Sequence, residues 1–335
     1  MTYKLFASLT LFFLVLVCVH GSSARSADEK KPTSADANTE ILKWKDGKAA
    51  VYLLAFDDAC ATHIKNVIPV LKQRRVPATF YVITNAGQFK DQKAWAVEAK
   101  SPYVILGNHT DKHNGAQTLD EFEKQVADAN EVIKARTPHL PTVRLISYGK
   151  PGGVKWGESV TDEAMKPILA RHDCVDRPPF WGAVLHVKTV EDMKKQVDNA
   201  IKKGEMAHLD FHGVDGDWLS TPMEFLTGTL DYLETKKDDL WVTDHATYAK
   251  YLAERKGATV KTLKQDDRAI QIALTATTDP KFYDQPLTLK TKTPSVWKRV
   301  QVKQGATTTV VEPKNGEVVY DALPGDTTIE LTPAP

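Results

Sequence analysis

From Ile41 to about Lys256 the chain repeats one alternation: a short run of strand-forming apolar residues, then a stretch in which apolar residues recur every three or four positions. AVYLLAF precedes THIKNVIPVLKQRR, where Ile64, Val67, Ile68 and Leu71 share one helical face. ATFYVI follows as a strand, and PYVILG leads into LDEFEKQVADANEVIKAR, where Leu119, Phe122, Val126, Ala129 and Ile133 recur at the helical spacing. VEDMKKQVDNAIKKG stops at Gly204 before the strand MAHLDFHG. STPMEFLTGTLDYLE offers Thr221 as a cap, Pro222 at the first helical position and Glu224 where a capping box needs it; LWVT and ATYAKYLAER close the series. Such alternation demands a parallel sheet covered by helices, open or closed into a barrel. Functional side chains then gather at the C-terminal ends of the strands.

Past Gly257 the period changes. AIQIALTATT, PLTLKTKT, RVQVKQG, TTTVVEP, EVVYDA and TTIELTP are short Thr- and Val-rich alternating runs punctuated by Pro and Gly, which predict a small β-sandwich over 258–335, separable from the barrel over 41–256. At the other end, one basic residue (Lys4), an apolar core from Leu5 and the small residues Gly21 to Ala24 predict a signal peptide over 1–24 and export to a periplasmic or extracellular space. That core is shorter than the roughly 20 residues a membrane span needs, so no span is expected after cleavage. Residues 25–40 read as a polar, flexible leader. Cleavage removes Cys18 and leaves Cys60 and Cys174, which either form one disulfide or are two small buried residues.

With a net charge of +1 and no long basic run, the chain lacks the electrostatic footprint of a nucleic-acid binder. Three strand ends carry its chemistry instead: AFDD with Asp57 and Asp58, VILGNHTDKH with His109 and His113, and LDFHG with His212. Two adjacent carboxylates disfavour each other's ionisation unless a cation sits against one. Two histidines and one carboxylate suit a divalent metal and leave a position for water. Asp58 can then ligate the metal while Asp57 takes the water's proton.

In these motifs residues from about 48 to 256 resemble the polysaccharide deacetylase family, the NodB-homology domain of metal-dependent carbohydrate esterases. Ala55-Phe56-Asp57-Asp58-Ala59 stands where that family has T-F-D-D-G, and His109-Thr110-Asp111-Lys112-His113 matches H-[ST]-x-x-H. The resemblance implies a distorted, incomplete (β/α) barrel, with Asp57 as general base and Asp58, His109 and His113 as ligands of one divalent ion. Zinc comes first, though imidazole and carboxylate also suit cobalt and nickel. It implies His212 as the general acid, oriented by Asp173, Asp176 or Asp210. The third motif aligns on Arg144 to Gly149, making Arg144 the partner of Asp57 and the Tyr148 N–H an oxyanion donor, with Arg177 in DRPPFWG as a competing partner. Trp218 is a candidate wall for stacked sugar rings, and Cys60 is expected to be structural.

The implied activity is hydrolysis of N- or O-linked acetyl groups on a polysaccharide or oligosaccharide, without an organic cofactor. Two other readings are a hydrolase of small C–N bonds such as cyclic imides and a non-catalytic glycan-binding module. Nothing in the sequence speaks to oligomeric state.

Overall fold

The protein is described as a computed structural model covering residues 38–90 and 93–335; the expected signal peptide and residues 25–37 of the expected leader lie outside the described residues. Its elements run β1 (Thr39–Ile41), β2 (Ala50–Asp57), α1 (Ile68–Arg74), β3 (Ala78–Val82), α2 (Gly87–Lys90), α3 (Ala94–Glu98), β4 (Val104–Asn108), α4 (Leu119–Arg136) and β5 (Ile146–Tyr148). The series continues with α5 (Asp162–Arg171), β6 (Cys174–Asp176), α6 (Val190–Lys203), β7 (Met206–Phe211), α7 (Met223–Thr235), β8 (Leu240–Thr243) and α8 (His245–Gly257). Antiparallel strands follow: β9 (Ala258–Gln265), β10 (Ile270–Ala276), β11 (Leu287–Lys292), β12 (Val300–Gln304), β13 (Thr307–Val311), β14 (Glu317–Ala322) and β15 (Ile329–Pro333).

The parallel sheet has the order β6-β5-β4-β3-β2-β7, with β8 alongside the first half of β2. Among the described residues no strand fills the opening between β6 and β7; instead the segment after β6 lays Gly182 against Asp210 of β7 in a single bridge. This is the incomplete barrel that the motifs implied. Helices cover it because their apolar stripes have nowhere else to go: Phe122, Val126, Ala129 and Ile133 of α4 are all buried. Side-chain oxygens of Thr118, Thr161, Thr189 and Asp244 cap α4, α5, α6 and α8, and Gly204 ends α6 in the left-handed conformation. The expected cap of α7 differs. Thr221 makes no capping bond, and the Met223 N–H donates to Asp215 Oδ1 at 2.9 Å. A short side chain was in the right place in sequence, but the preceding loop folds back and supplies a better acceptor.

Strand β2 shows how the chain divides its apolar surface. Tyr52, Leu54 and Phe56 point into the barrel–helix core, while Val51 and Leu53, on the other face of the pleat, join a second core. That second core also holds Trp44, Trp241 and Tyr251 together with Ile270, Ile272, Leu287, Leu289 and Ile329 of the C-terminal strands. Those strands form the expected sandwich, a five-stranded sheet β13-β12-β15-β10-β9 and a three-stranded sheet β1-β11-β14. Two expectations need amending here. Thr39 and Glu40, assigned to the leader, pair with Thr291 and Lys290 of β11, because a three-residue strand is too short to show its period in sequence. The sandwich also shares its core with barrel side chains, which argues against the separable unit expected.

Candidate metal centre and catalytic site

Strand β2 ends by placing Asp57 and Asp58 in succession, and the chain then turns through left-handed backbone at Asp58 (φ 71°) and Ala59 (φ 49°). Left-handed backbone is unfavourable for residues with a Cβ, by roughly 1–2 kcal/mol each. It persists because it sends the two carboxylates to different partners. Asp57 faces Arg177, which donates from Nη1 to Oδ1 at 2.6 Å and from Nη2 to Oδ2 at 2.7 Å. Burial alone would raise the Asp57 carboxyl, but the Arg177 guanidinium outweighs burial and holds Asp57 well below the usual carboxylate range. Asp57 is therefore ionised, buried and fixed in orientation.

Arg177 is itself held on three sides. Its guanidinium lies 4.4 Å from the centre of the Tyr81 ring, whose hydroxyl is tied to Ser147 at 2.6 Å and to His245 Nδ1 at 3.0 Å. Nη1 also approaches Asp210 Oδ1 at 3.5 Å, and Asp210 Oδ2 accepts the Trp181 N–H at 2.6 Å. Gly149 lets the arginine in: a Cβ there would stand 3.0 Å from Arg177 Nε and 2.9 Å from the Tyr81 ring. These contacts draw Asp210 towards Arg177 and the Trp181 backbone rather than leaving it to serve His212.

The histidine pair is positioned by the loop after β4. Buried Asn108 donates to the Val126 carbonyl and to Asn130, and accepts the Thr110 N–H at 2.7 Å. This supports Thr110 in left-handed backbone, and the Thr110 hydroxyl accepts the His113 N–H at 3.0 Å. His109 Nδ1 donates to the Gly149 carbonyl at 2.7 Å. A neutral imidazole so tied presents an unprotonated Nε2. Burial pushes His113 below its ordinary value, which also favours the neutral ring that a metal ligand needs.

Both Nε2 atoms converge on Asp58. Each lies 3.5 Å from Asp58 Oδ1, and the three ligand atoms of Asp58, His109 and His113 lie within 4.8 Å of one another. Asp58 Oδ1 is buried with no hydrogen-bond partner among the described residues. A carboxylate oxygen facing the unprotonated Nε2 of His109 is a repulsive arrangement unless a cation stands between them. The donor set thus fits a divalent metal, with nitrogen and oxygen ligands and no thiolate. His212 completes the mouth, its Nε2 3.7 Å from Asp58 Oδ2 and its ring 5.4 Å from that of Phe180. Trp218 is 67% exposed on the loop beyond it.

Two expected site residues are not brought here. Arg144 precedes β5 and donates to the Pro141 carbonyl at 2.6 Å and to the Thr137 hydroxyl at 2.5 Å, lining a cavity at the far end of the strands with Ser101 and Val104. Arg177 takes the place assigned to it beside Asp57. Tyr148 lies inside the sheet, paired with Asn108 on one side and Asp176 on the other. Its carbonyl accepts the Arg177 N–H at 2.9 Å, and in a parallel ladder that bond accompanies one from its own N–H to the same neighbour. The Tyr148 N–H is committed to β6 and is not offered to a substrate. Cys60 and Cys174 are both buried free thiols, and burial raises each to about 12. Neither serves as a nucleophile at neutral pH.

The chain is similar in sequence to several known proteins. Residues 45–165 match the family model described as polysaccharide deacetylase. A chitooligosaccharide deacetylase of Sinorhizobium fredii is 31% identical over 138 residues, 41% of this chain and 61% of the relative. A gellan lyase of a Bacillus species is 22% identical over 306 residues, 80% of this chain but 12% of that protein. The chain therefore spans less than two thirds of these curated relatives. Among solved structures, a family 4 carbohydrate esterase from Streptomyces lividans in complex with acetate is 13% identical with a TM-score of 0.42, over 58% of this chain and 91% of that one.

Proposed function

We propose, from the premise that residues 45–165 belong to the polysaccharide deacetylase family, that this protein hydrolyses acetyl groups from a carbohydrate polymer. The observation that carries the reading is the pairing of two differently used carboxylates. Asp57 is locked to Arg177, and Asp58 is aimed, without a hydrogen bond, between two imidazoles.

Asp58, His109 and His113 would hold one divalent ion, zinc first and cobalt or nickel as alternatives. Bound there, such an ion supplies Lewis acidity towards the acetyl carbonyl and lowers the pKa of water. The chain's own residues do the rest. Asp57 accepts a proton from the attacking water as the new C–O bond forms, and Arg177 keeps its carboxylate in one orientation throughout. His212 gives a proton to the departing nitrogen or oxygen as the bond to the acetyl carbon breaks, leaving acetate and the free amine or alcohol. Trp218 offers an exposed ring against which a pyranose can stack. The N-terminal sequence pattern supports export of this activity to a periplasmic or extracellular space; among the described residues no helix is long and apolar enough to cross a membrane.

Acetate release across a panel of N- and O-acetylated glycans tests the reading. Release from at least one class supports it and names the linkage. A metal-loaded protein that releases none from any contradicts it.

A further inference from the structure

The turn that follows the two aspartates has a feature the proposed chemistry leaves unused. His63–Val67 is a π-turn, and His63 is completely buried within it, edge-on to Phe56, Phe80 and Trp95. Its Nε2 lies 2.8 Å from the His212 carbonyl and must donate, since that oxygen can only accept. Burial pushes His63 down to about 4, so the ring is neutral and its Nδ1 is a bare acceptor, which finds no partner. An unsatisfied nitrogen in an aromatic box is destabilising, and a phenyl ring would fill the same space without that cost. What a phenyl ring lacks is the donor to His212.

His63 does not act alone. The Thr62 N–H donates to Asp217 Oδ2 at 2.7 Å, the Val214 N–H to the Thr62 hydroxyl at 3.2 Å, and Asn66 Nδ2 to the Val214 carbonyl at 2.7 Å. Four hydrogen bonds thus join one turn to the segment 212–217. That segment is closed upon itself as well, by Gly213 N–H to the Trp218 carbonyl at 2.9 Å and Thr221 N–H to the Gly213 carbonyl at 2.8 Å. A Cβ at Gly213 would stand 1.9 Å from the Gly216 carbonyl oxygen. An exposed tryptophan is therefore carried on a loop with little freedom, and the ring of His212 begins where that loop is pinned.

We propose that the turn Thr62–Asn66 is a positioning clamp, with His63 its central bond, which fixes the proton donor His212 and the Trp218 loop relative to Asp57 and Asp58. The clamp's role in catalysis rests on the proposed deacetylase reading; its existence does not. His63→Phe keeps the aromatic packing and removes the donor, and His63→Gln restores an N–H at similar reach. Three quantities are read on the full chain: hydrogen–deuterium exchange of residues 212–221, bound metal, and kcat and KM for acetate release.

In His63→Phe, exchange across 212–221 rises, metal content and KM stay near wild type, and kcat falls on the order of 10- to 100-fold, the scale of a misplaced catalytic group. His63→Gln recovers most of both losses. Unchanged exchange in His63→Phe overturns the clamp. Equal loss in Phe and Gln variants reduces His63 to a packing residue and also overturns it. If His63→Phe does not fold, Asn66→Ala replaces it, and unaltered exchange there is equally contrary. If wild type releases no acetate from any glycan, the function reading falls, and the exchange comparison alone decides the clamp.

Discussion

Arg177 grips Asp57 through both guanidinium nitrogens, at 2.6 and 2.7 Å, in a site where neither side chain is more than 6% exposed. A planar fork on a planar carboxylate fixes rotation as well as position, which a lysine ammonium cannot do. Replacing Arg177 by Lys keeps the charge and loses the fork. Arg177→Lys is therefore expected to retain metal and lower kcat by about 10-fold or more, whereas Arg144→Ala leaves kcat within about twofold, on the order of the changes seen at surface positions. Steady-state kinetics on the two variants would reverse this assignment if Arg144→Ala were the damaged one.

The proposed metal centre would draw its three ligands, Asp58, His109 and His113, from two strand ends. His113→Ala and Asp58→Ala should each bind far less divalent metal than wild type in elemental analysis, with circular dichroism unchanged. Equal metal in either variant places the ion elsewhere.

Much of this was legible in the sequence, and the reason differs by element. The longer strands and most helices announced themselves by period, whereas α2, α3, α5 and the three-residue strands β5 and β6 were too short or too irregular in pattern to be read; Asp57, Asp58, His109 and His113 stood out by their place at the ends of apolar runs. Arg177 stood in the sequence only as a competitor, because a long side chain can reach a site from many positions and spacing does not say which arginine turns inward. The ladder position of Tyr148 and the bonds of Asp210 are set by which strands pair, information that a parallel sheet spreads over 120 residues between Asp57 and Arg177. His63 gave no signal at all. A lone histidine in a helical pattern has the hydropathy of a surface residue, and only the fold shows it in an aromatic box.

Truncation after Lys256 was the natural test of a detachable sandwich, and the shared core changes its expected outcome. Val51, Leu53, Trp241 and Tyr251 would lose their cover. At roughly 1.5–3 kcal/mol for each large apolar side chain, the loss rivals the 5–15 kcal/mol that holds a typical domain together. The truncated chain is expected to be insoluble or to melt far below the full chain. A cooperative melt near the wild-type temperature would show the barrel to be independent.

Glu254 of α8 is almost completely buried and accepts the Gln285 N–H at 3.0 Å. Burial, opposed in part by that hydrogen bond, raises its carboxyl to about 7 from an ordinary 4.5. The folded state then holds a proton that the unfolded state releases, so this group's contribution is full below about pH 4.5 and is lost as pH rises through about 7. Glu254→Gln keeps the acceptor and cannot ionise. Its melting temperature relative to wild type should rise between pH about 5 and pH about 8; a constant difference across that range would show that Glu254 does not titrate as its burial requires.

The division of labour between the two adjacent aspartates is the centre of the account, and one comparison addresses it: metal per chain and acetate released, measured on the same samples of wild type, chelated wild type and Asp57→Asn. Wild type should carry one divalent ion and release acetate. The chelated protein should lose both and regain both when metal is returned. Asp57→Asn should keep the ion yet lose on the order of 10²- to 10⁴-fold in rate, as for a removed general base. An Asp57→Asn protein that loses its metal, or one that retains full activity, would contradict the assignment of Asp57 as base and Asp58 as ligand.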